Sequence, residues 1–183
     1  MRVLGIDPGS RYCGFGVVED AGGARMRHVD HGVLAVGEGG PVEARLAALH
    51  LGLAQALDRH RPQIVAIEEV FHARNSRSAL VLGQARGVAL LAAAQAGARV
   101  RSFAPSMIKQ AVTGTGRAEK EQVGRMVCVL LGITVRERMD ATDALAAAIC
   151  GLLRAREPVA ACEEERRPRD WRAALGRSLR GRR

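Results

Sequence analysis

An α/β domain, built on a mixed five-stranded sheet with helices on both faces, is what this sequence predicts. Three observations carry that prediction. Residues 1–36 hold three short β-rich runs separated by tight turns, which is the pattern of an antiparallel meander. From residue 41 onward, helical periods alternate with short apolar runs of strand length, which is the pattern of βαβ crossovers. The chain has 183 residues, enough for one domain with a real core.

Residues 2–7, 13–20 and 28–36 read as the three meander strands. Val3 to Ile6 is apolar and ends in a carboxylate, Asp7. Pro8-Gly9-Ser10 then forces a turn, because Pro presets φ and Gly accepts positive φ. Gly14 to Val18 returns, and Ala21-Gly22-Gly23 makes the second turn. Pro41 opens a helix whose Leu46, Leu49, Leu53 and Leu57 share one face; it stops near His60-Arg61-Pro62. Ile64 to Ile67 is a continuous apolar run, as a buried parallel strand requires, and it ends in Glu68-Glu69.

A polar linker, His72 to Arg77, leads into a helix of about 20 residues that closes at Ala96-Gly97. This helix is rich in Ala and Gly and apolar on more than one face, which predicts burial on two sides. One side is the home sheet. The other is either a partner subunit, in a two-fold dimer, or a second layer of the same chain. Val100 to Phe103 is the fifth strand, and Pro105 to Gln110 starts a short helix. After the loop Thr113-Gly114-Thr115-Gly116, Ala118 to Leu131 is amphipathic, with Val123, Met126, Val127 and Leu130 on its apolar face. Asp140 to Arg154 is the last helix. Pro158, the run Glu163-Glu164-Glu165 and an arginine-rich end then change the character of the chain. The expectation is one folded domain over 1–156 and a basic, mobile tail over 157–183.

Composition narrows the partners. Net charge is +9, which points to a polyanion and first to nucleic acid. From Arg154 to Arg183 there are ten arginines and five acids, so +5 lies from residue 154 onward and +4 in residues 1–153. Any nucleic-acid site on the body is therefore a local patch. No apolar run reaches the roughly 18 residues of a membrane span, and Met1-Arg2 leads into a strand rather than a signal peptide. Cys13, Cys128, Cys150 and Cys162 form no CxxC pair and suit a reducing compartment, so a cytoplasmic protein is expected. Cys128 and Cys150 fall in helical apolar patterns, as core residues do. Of 28 basic residues only Lys109 and Lys120 are lysine, a hint that a compact ammonium is needed there.

Four acids stand at element ends: Asp7, Glu68, Asp140 and Asp143. Asp7 and Glu68 end strands that can lie side by side. Asp140 and Asp143 share a helix face, with Cβ atoms about 5–6 Å apart. Such carboxylates repel and raise each other's pKa unless a divalent ion neutralises them, and hard oxygen donors favour Mg²⁺ or Mn²⁺. Two ions about 3.5–4 Å apart can clamp the attacking and leaving oxygens of a phosphodiester. Simpler roles exist for the same residues. Asp7 can cap its turn, and Asp140 with Asp143 can form a capping box that also favours the helix dipole. Glu68 and Glu69 point to opposite faces, and periodicity does not choose between them.

The segments GIDPGSRYCGFGVV, AIEEVFHARNSRSALVLGQARGVAL, IKQAVTGTGRAEKEQV and MDATDALAAAI, taken in this order, resemble the RuvC family of Holliday-junction resolvases, in register from residue 1 to about 153. The resemblance implies a ribonuclease-H-like fold, a homodimer and Mg²⁺-dependent, symmetric nicking of four-way DNA junctions in recombination and repair. The family's metal-binding acids fall on Asp7, Glu68, Asp140 and Asp143, which selects Glu68 over Glu69. Two Mg²⁺ ions per site are implied, with Mn²⁺ able to stand in; Asp7 would bridge them. The family's basic residues near the scissile phosphate fall on Lys109 and Lys120. Its aromatic residue falls on Phe71, either a base-stacking platform or a core side chain. Arg74 and Arg77, with Asn75 and Ser76, would contact phosphates or else form a solvated loop. A branch-migration complex of the RuvA and RuvB proteins is the implied protein partner. Two other classes fit less. A sugar-kinase or actin-like ATPase opens with a similar hairpin but needs two lobes and a second phosphate loop. A junction-binding protein without catalysis would have lost one of the acids.

Overall fold

The structure is a computed structural model that describes residues 1–9, 11–37, 39–69, 76–134 and 139–156. The expectations for Phe71, Arg74, Asn75 and the tail 157–183 lie outside the described residues, as does the side chain of Arg77. In chain order the elements are β1 (Arg2–Asp7), β2 (Tyr12–Asp20), β3 (Met26–Ala35), α1 (Val42–His60), β4 (Ile64–Glu68), α2 (Ser76–Gln95), β5 (Arg99–Phe103), α3 (Pro105–Thr113), α4 (Lys120–Leu131) and α5 (Met139–Arg156).

The strands form one sheet in the order β3-β2-β1-β4-β5. The hairpins β1-β2 and β2-β3 are antiparallel, whereas β4 pairs parallel with both β1 and β5. A parallel neighbour has to arrive by crossover, and α1 and α2 supply the crossovers. Strand alternation divides the core. Val3, Val18, Ile64, Ala66 and Phe103 pack under α3, α4 and α5. Leu4, Ile6, Val17, Val65 and Ile67 pack under α1 and α2. Helices thus cover both faces, as expected.

How closely α5 lies on the sheet is set by missing side chains. A Cβ at Gly5 would stand 1.9 Å from the Ala144 carbonyl oxygen, and one at Gly14 would stand 2.0 Å from that of Asp140. At Gly16 it would meet the Leu145 side chain at 2.7 Å. Helix backbone therefore rests almost directly on strand backbone, and every residue from Ala144 to Leu152 is buried. Leu145, Ile149 and Leu152 are fully enclosed; each contributes about 1.5–3 kcal/mol. The far end of α5 is pinned. Arg156 donates from Nε to Asp20 Oδ2 at 3.2 Å and from Nη2 to Oδ1 at 2.6 Å. That guanidinium, with the Gly22 N–H, holds the Asp20 carboxyl down to about 2.

Several details differ from the sequence-based expectation. Helix α3 runs on to Thr113, and Gly114 ends it in the left-handed region at φ 80°. Helix α4 starts at Lys120 rather than Ala118, because Glu119 is extended and takes the N-cap. Leu130 is 38% exposed, outside the core that Val123 and Val127 enter. Helix α5 begins at Met139, so Asp140 lies inside its first turn and is not its cap. Helix α2 is buried on one side only, through Ala85, Ala89, Ala92 and Ala93. Its other side leaves Leu80 64% and Leu91 50% exposed, with open space over Gly83 and Gly87. Cys13 and Cys150 are buried as free thiols, while Cys128 is only half-buried.

Candidate active site

In the parallel pair β1-β4, Ile6 lies beside Ile67. One residue further, Asp7 and Glu68 end their strands as neighbours. The period of two puts both on the α5 face, following Val3 and Gly5 on β1 and Ile64 and Ala66 on β4. Glu69 has the opposite parity; its N–H donates to the Phe103 carbonyl at 2.9 Å. Strand register thus separates the two glutamates that periodicity left equivalent. The first turn of α5 passes over this end of the sheet, and its Asp140 carbonyl settles against Gly14, the residue opposite Asp7 in the hairpin. Asp140 and Asp143 arrive above Asp7 by that route.

Electrostatics report how near the four carboxylates are. The Asp7 carboxyl is pushed up to about 7, first by burial and then by the charges of Asp143, Glu68 and Asp140. Glu68 is raised by burial and then by Asp143. Asp143 is raised by burial, against the pull of Lys120. The Cys13 thiol is pushed up to about 12, by burial and then by Asp7, and is inert.

Both lysines join the cluster. Lys120, the first residue of α4, places Nζ 2.6 Å from Asp143 Oδ2. That hydrogen bond and the charges of Asp143, Asp7 and Asp140 raise its pKa over the opposing effect of burial, the largest of these influences. Lys109 on α3 acts on Glu68 through its charge. A cleft of about 240 Å³ opens between them, lined by Glu68, Ile108, Lys109, Lys120, Val123 and Asp143. A larger recess of about 460 Å³ lies at the start of β4, between α1 and α2, and Asp58 and Arg61 are its charged residues. It lacks clustered acids, so the smaller cleft is the candidate site.

The donor set suits a hard divalent ion: carboxylate oxygens, with one group already strained toward neutrality by its neighbours. Among the described residues no three or more His, Cys, Asp or Glu side chains are arranged to hold an ion as they stand. Instead the Lys120 ammonium and the raised carboxyl of Asp7 make the cluster tolerable. A divalent ion would take over both duties. Sequence reasoning named these acids and lysines but assigned nothing to Gly5, Gly14 and Gly16. Their signal was the placement of residues without side chains at inward strand positions.

Comparison with known proteins follows the same lines. A family profile described as crossover junction endodeoxyribonuclease RuvC matches residues 3–151. The protein of that name from Myxococcus xanthus is 52% identical over 177 residues, 96% of this chain and 92% of its own. That from Halorhodospira halophila is 50% identical over 149 residues, 81% of this chain and 88% of its own. Among solved structures, Thermus thermophilus RuvC in complex with a Holliday junction substrate superposes with a TM-score of 0.80 at 38% identity, covering 85% of this chain and 95% of its own. The yeast mitochondrial Holliday junction resolvase has a TM-score of 0.59 at 13% identity over 81% of this chain and 77% of its own, a likeness of fold alone. The fold is ribonuclease-H-like.

Proposed function

Because this chain belongs to the RuvC family of crossover junction endodeoxyribonucleases, we propose that it resolves Holliday junctions by paired, symmetric hydrolysis of phosphodiester bonds in opposing strands. The observation that carries this reading is the mutual coupling of Asp7, Glu68, Asp140 and Asp143 beside a cleft that holds Lys109 and Lys120. Nothing in an ordinary core explains four clustered carboxylates. A divalent-ion nuclease does.

Asp7, Glu68, Asp140 and Asp143 would hold two Mg²⁺ ions, with Mn²⁺ able to substitute. Such ions would supply an activated water and a counter-charge for the leaving oxygen. The water oxygen bonds to phosphorus and gives up a proton while the P–O3′ bond breaks. The 3′ oxygen leaves and takes up a proton, so the products are a 5′ phosphate and a ligatable nick. Lys120 or Lys109, which line the cleft, would stabilise the negative charge that builds on the phosphate. Lys120 can do so only once Asp143 has another cation.

A homodimer fits the two-fold symmetry of a junction. The uncovered stripe of α2, with Leu80, Gly83, Gly87 and Leu91, is the surface we assign to it. Residues 1–156 would form the nuclease domain and 157–183 a basic tail. Phe71, Arg74 and Arg77 would meet the DNA beside the second acid. A RuvA and RuvB branch-migration complex would deliver the junction. No helix among the described residues is long and apolar enough to cross a membrane. The reading itself, action on chromosomal junctions, would put the protein in the cytoplasm.

The test is a cleavage assay on a synthetic mobile four-way junction beside linear duplex of the same sequence, with Mg²⁺ or with EDTA. Paired nicks across the junction, only with Mg²⁺ and with the duplex spared, are expected. Equal cutting of duplex and junction, or cutting in EDTA, overturns the reading.

A further inference from the structure

We propose that Gly14 is a positioning residue for the carboxylate cluster, its absent side chain letting the first turn of α5 descend far enough to set Asp140 and Asp143 over Asp7. The inference deepens the nuclease reading and rests on it.

Gly14 is not among the glycines with positive φ. Its backbone is that of an ordinary strand, which any residue adopts. Glycine inside a strand costs about 0.5–1 kcal/mol relative to Ala, so something else must hold it there. That something is space. A Cβ at Gly14 would lie 2.0 Å from the Asp140 carbonyl oxygen, 2.4 Å from its carbonyl carbon and 3.1 Å from the Ala141 nitrogen. All three are backbone atoms, so no side chain can turn aside to make room. Real Cβ contacts do not fall under 3.0 Å, so an alanine requires the seam to open by about 1 Å.

The rest of α5 cannot follow. It is seated on Gly5 between the Ala144 carbonyl and the Ala148 nitrogen, and Leu145, Ile149 and Leu152 are fully enclosed. Its far end is forked to Asp20 through Arg156. The helix therefore tilts about its seat on Gly5, and the end that rises is the one carrying Asp140 and Asp143, Asp140 most. Gly14 is also the register partner of Asp7. The same wedge that lifts two of the ligands thus stands beside the strand that carries a third. A displacement near 1 Å at reacting groups costs on the order of 10²-fold in rate. Disturbed support of ligands costs about 10–100-fold in metal affinity.

Gly16 provides the contrast. An alanine there would press on the Leu145 side chain at 2.7 Å and on the Leu145 backbone nitrogen at 2.8 Å, on the same seam but past both acids. It loosens packing without lifting the first turn.

The experiment uses the full chain as wild type, Gly14→Ala, Gly16→Ala and Gly14→Ala combined with Asp140→Glu. It reads the thermal shift produced by Mg²⁺, the Mg²⁺ concentration for half-maximal junction cleavage, and junction affinity in EDTA. Gly14→Ala is expected to fold, to bind junctions in EDTA like wild type, to lose the Mg²⁺ thermal shift, and to need about 10–100-fold more Mg²⁺ for cleavage. Gly16→Ala should lower Tm yet keep the wild-type Mg²⁺ requirement. In the double variant the extra methylene of glutamate reaches back across the opened gap and lowers the requirement again. A wild-type requirement in Gly14→Ala, equal shifts in both glycine variants, or no recovery in the double variant overturns the inference. So does a Gly14→Ala chain that does not fold at room temperature, since Gly14 would then support the whole seam rather than one end. A wild-type protein with neither Mg²⁺ shift nor cleavage sinks the nuclease reading itself, which the variants alone leave standing.

Discussion

Lys120 is one of two lysines among 28 basic residues, and its Nζ lies 2.6 Å from Asp143. A compact ammonium fits among crowded carboxylates where a planar guanidinium fork does not. Replacing Lys120 by Ala should slow junction cleavage by about 10²–10³-fold, and Lys120→Arg should not restore it; single-turnover rates at saturating Mg²⁺ check both. Asp7 supplies a second, pH-dependent test. Its folded pKa, about 7, lies above the ordinary 3.8, so the folded state keeps a proton that the unfolded state releases. Its contribution to stability is whole below about pH 4 and is lost as pH rises toward 7. Glu68 and Asp143, also raised, act in the same direction. Without metal, Tm should therefore fall more steeply for wild type than for Asp7→Asn between pH 4 and 7. Added Mg²⁺ should restore more stability at pH 8 than at pH 5. Parallel melting curves for the two proteins would contradict this. At this scale the sequence was informative where chemistry is local: acids at strand and helix ends stand out. Alternation alone was silent on Glu68 against Glu69, because it fixes only that they oppose each other; the family resemblance selected Glu68. The answer lies in the pairing of β1 with β4, a contact between segments some 60 residues apart.

Elements were read well where periodicity is strong, and boundaries less well where caps decide. Helix α1 buries Leu49, Leu53 and Leu57 as its spacing foretold, and leaves Leu46 half-buried at its start. Helices α4 and α5 start away from their expected positions because Glu119 and Met139, neither a strong local signal, mark the first turns. The apolar character of α2 was legible, but what covers its second face was not, since one chain's sequence does not name its neighbour. The dimer assignment predicts that Leu80→Glu with Leu91→Glu yields a folded monomer in sedimentation. A dimer that persists would move the interface elsewhere. Helix α5 is the opposite case, enclosed from Ala144 to Leu152. Leu145→Ala should cost about 2–5 kcal/mol, read by urea unfolding with the m-value unchanged.

At the scale of the molecule, charge is unevenly spread. Eight arginines and five acids lie in 157–183, so the tail carries +3 and the body +6 of the net +9. Removal of 157–183 should weaken junction binding, flatten its dependence on salt, and leave the single-turnover cleavage rate of bound junction unchanged. Loss of catalysis on truncation would make the tail part of the site. The central claim is narrower: Asp7, Glu68, Asp140 and Asp143, brought from three stretches of chain to one end of one sheet, act as a single ion-binding unit. The most direct measurement is junction cleavage and junction binding side by side for Asp7→Asn, Glu68→Gln, Asp140→Asn, Asp143→Asn and Glu69→Gln. The first four are expected to bind junctions and cut none in Mg²⁺, while Glu69→Gln cuts like wild type. Full cutting by any of the first four, or its loss in Glu69→Gln with binding intact, would contradict the account.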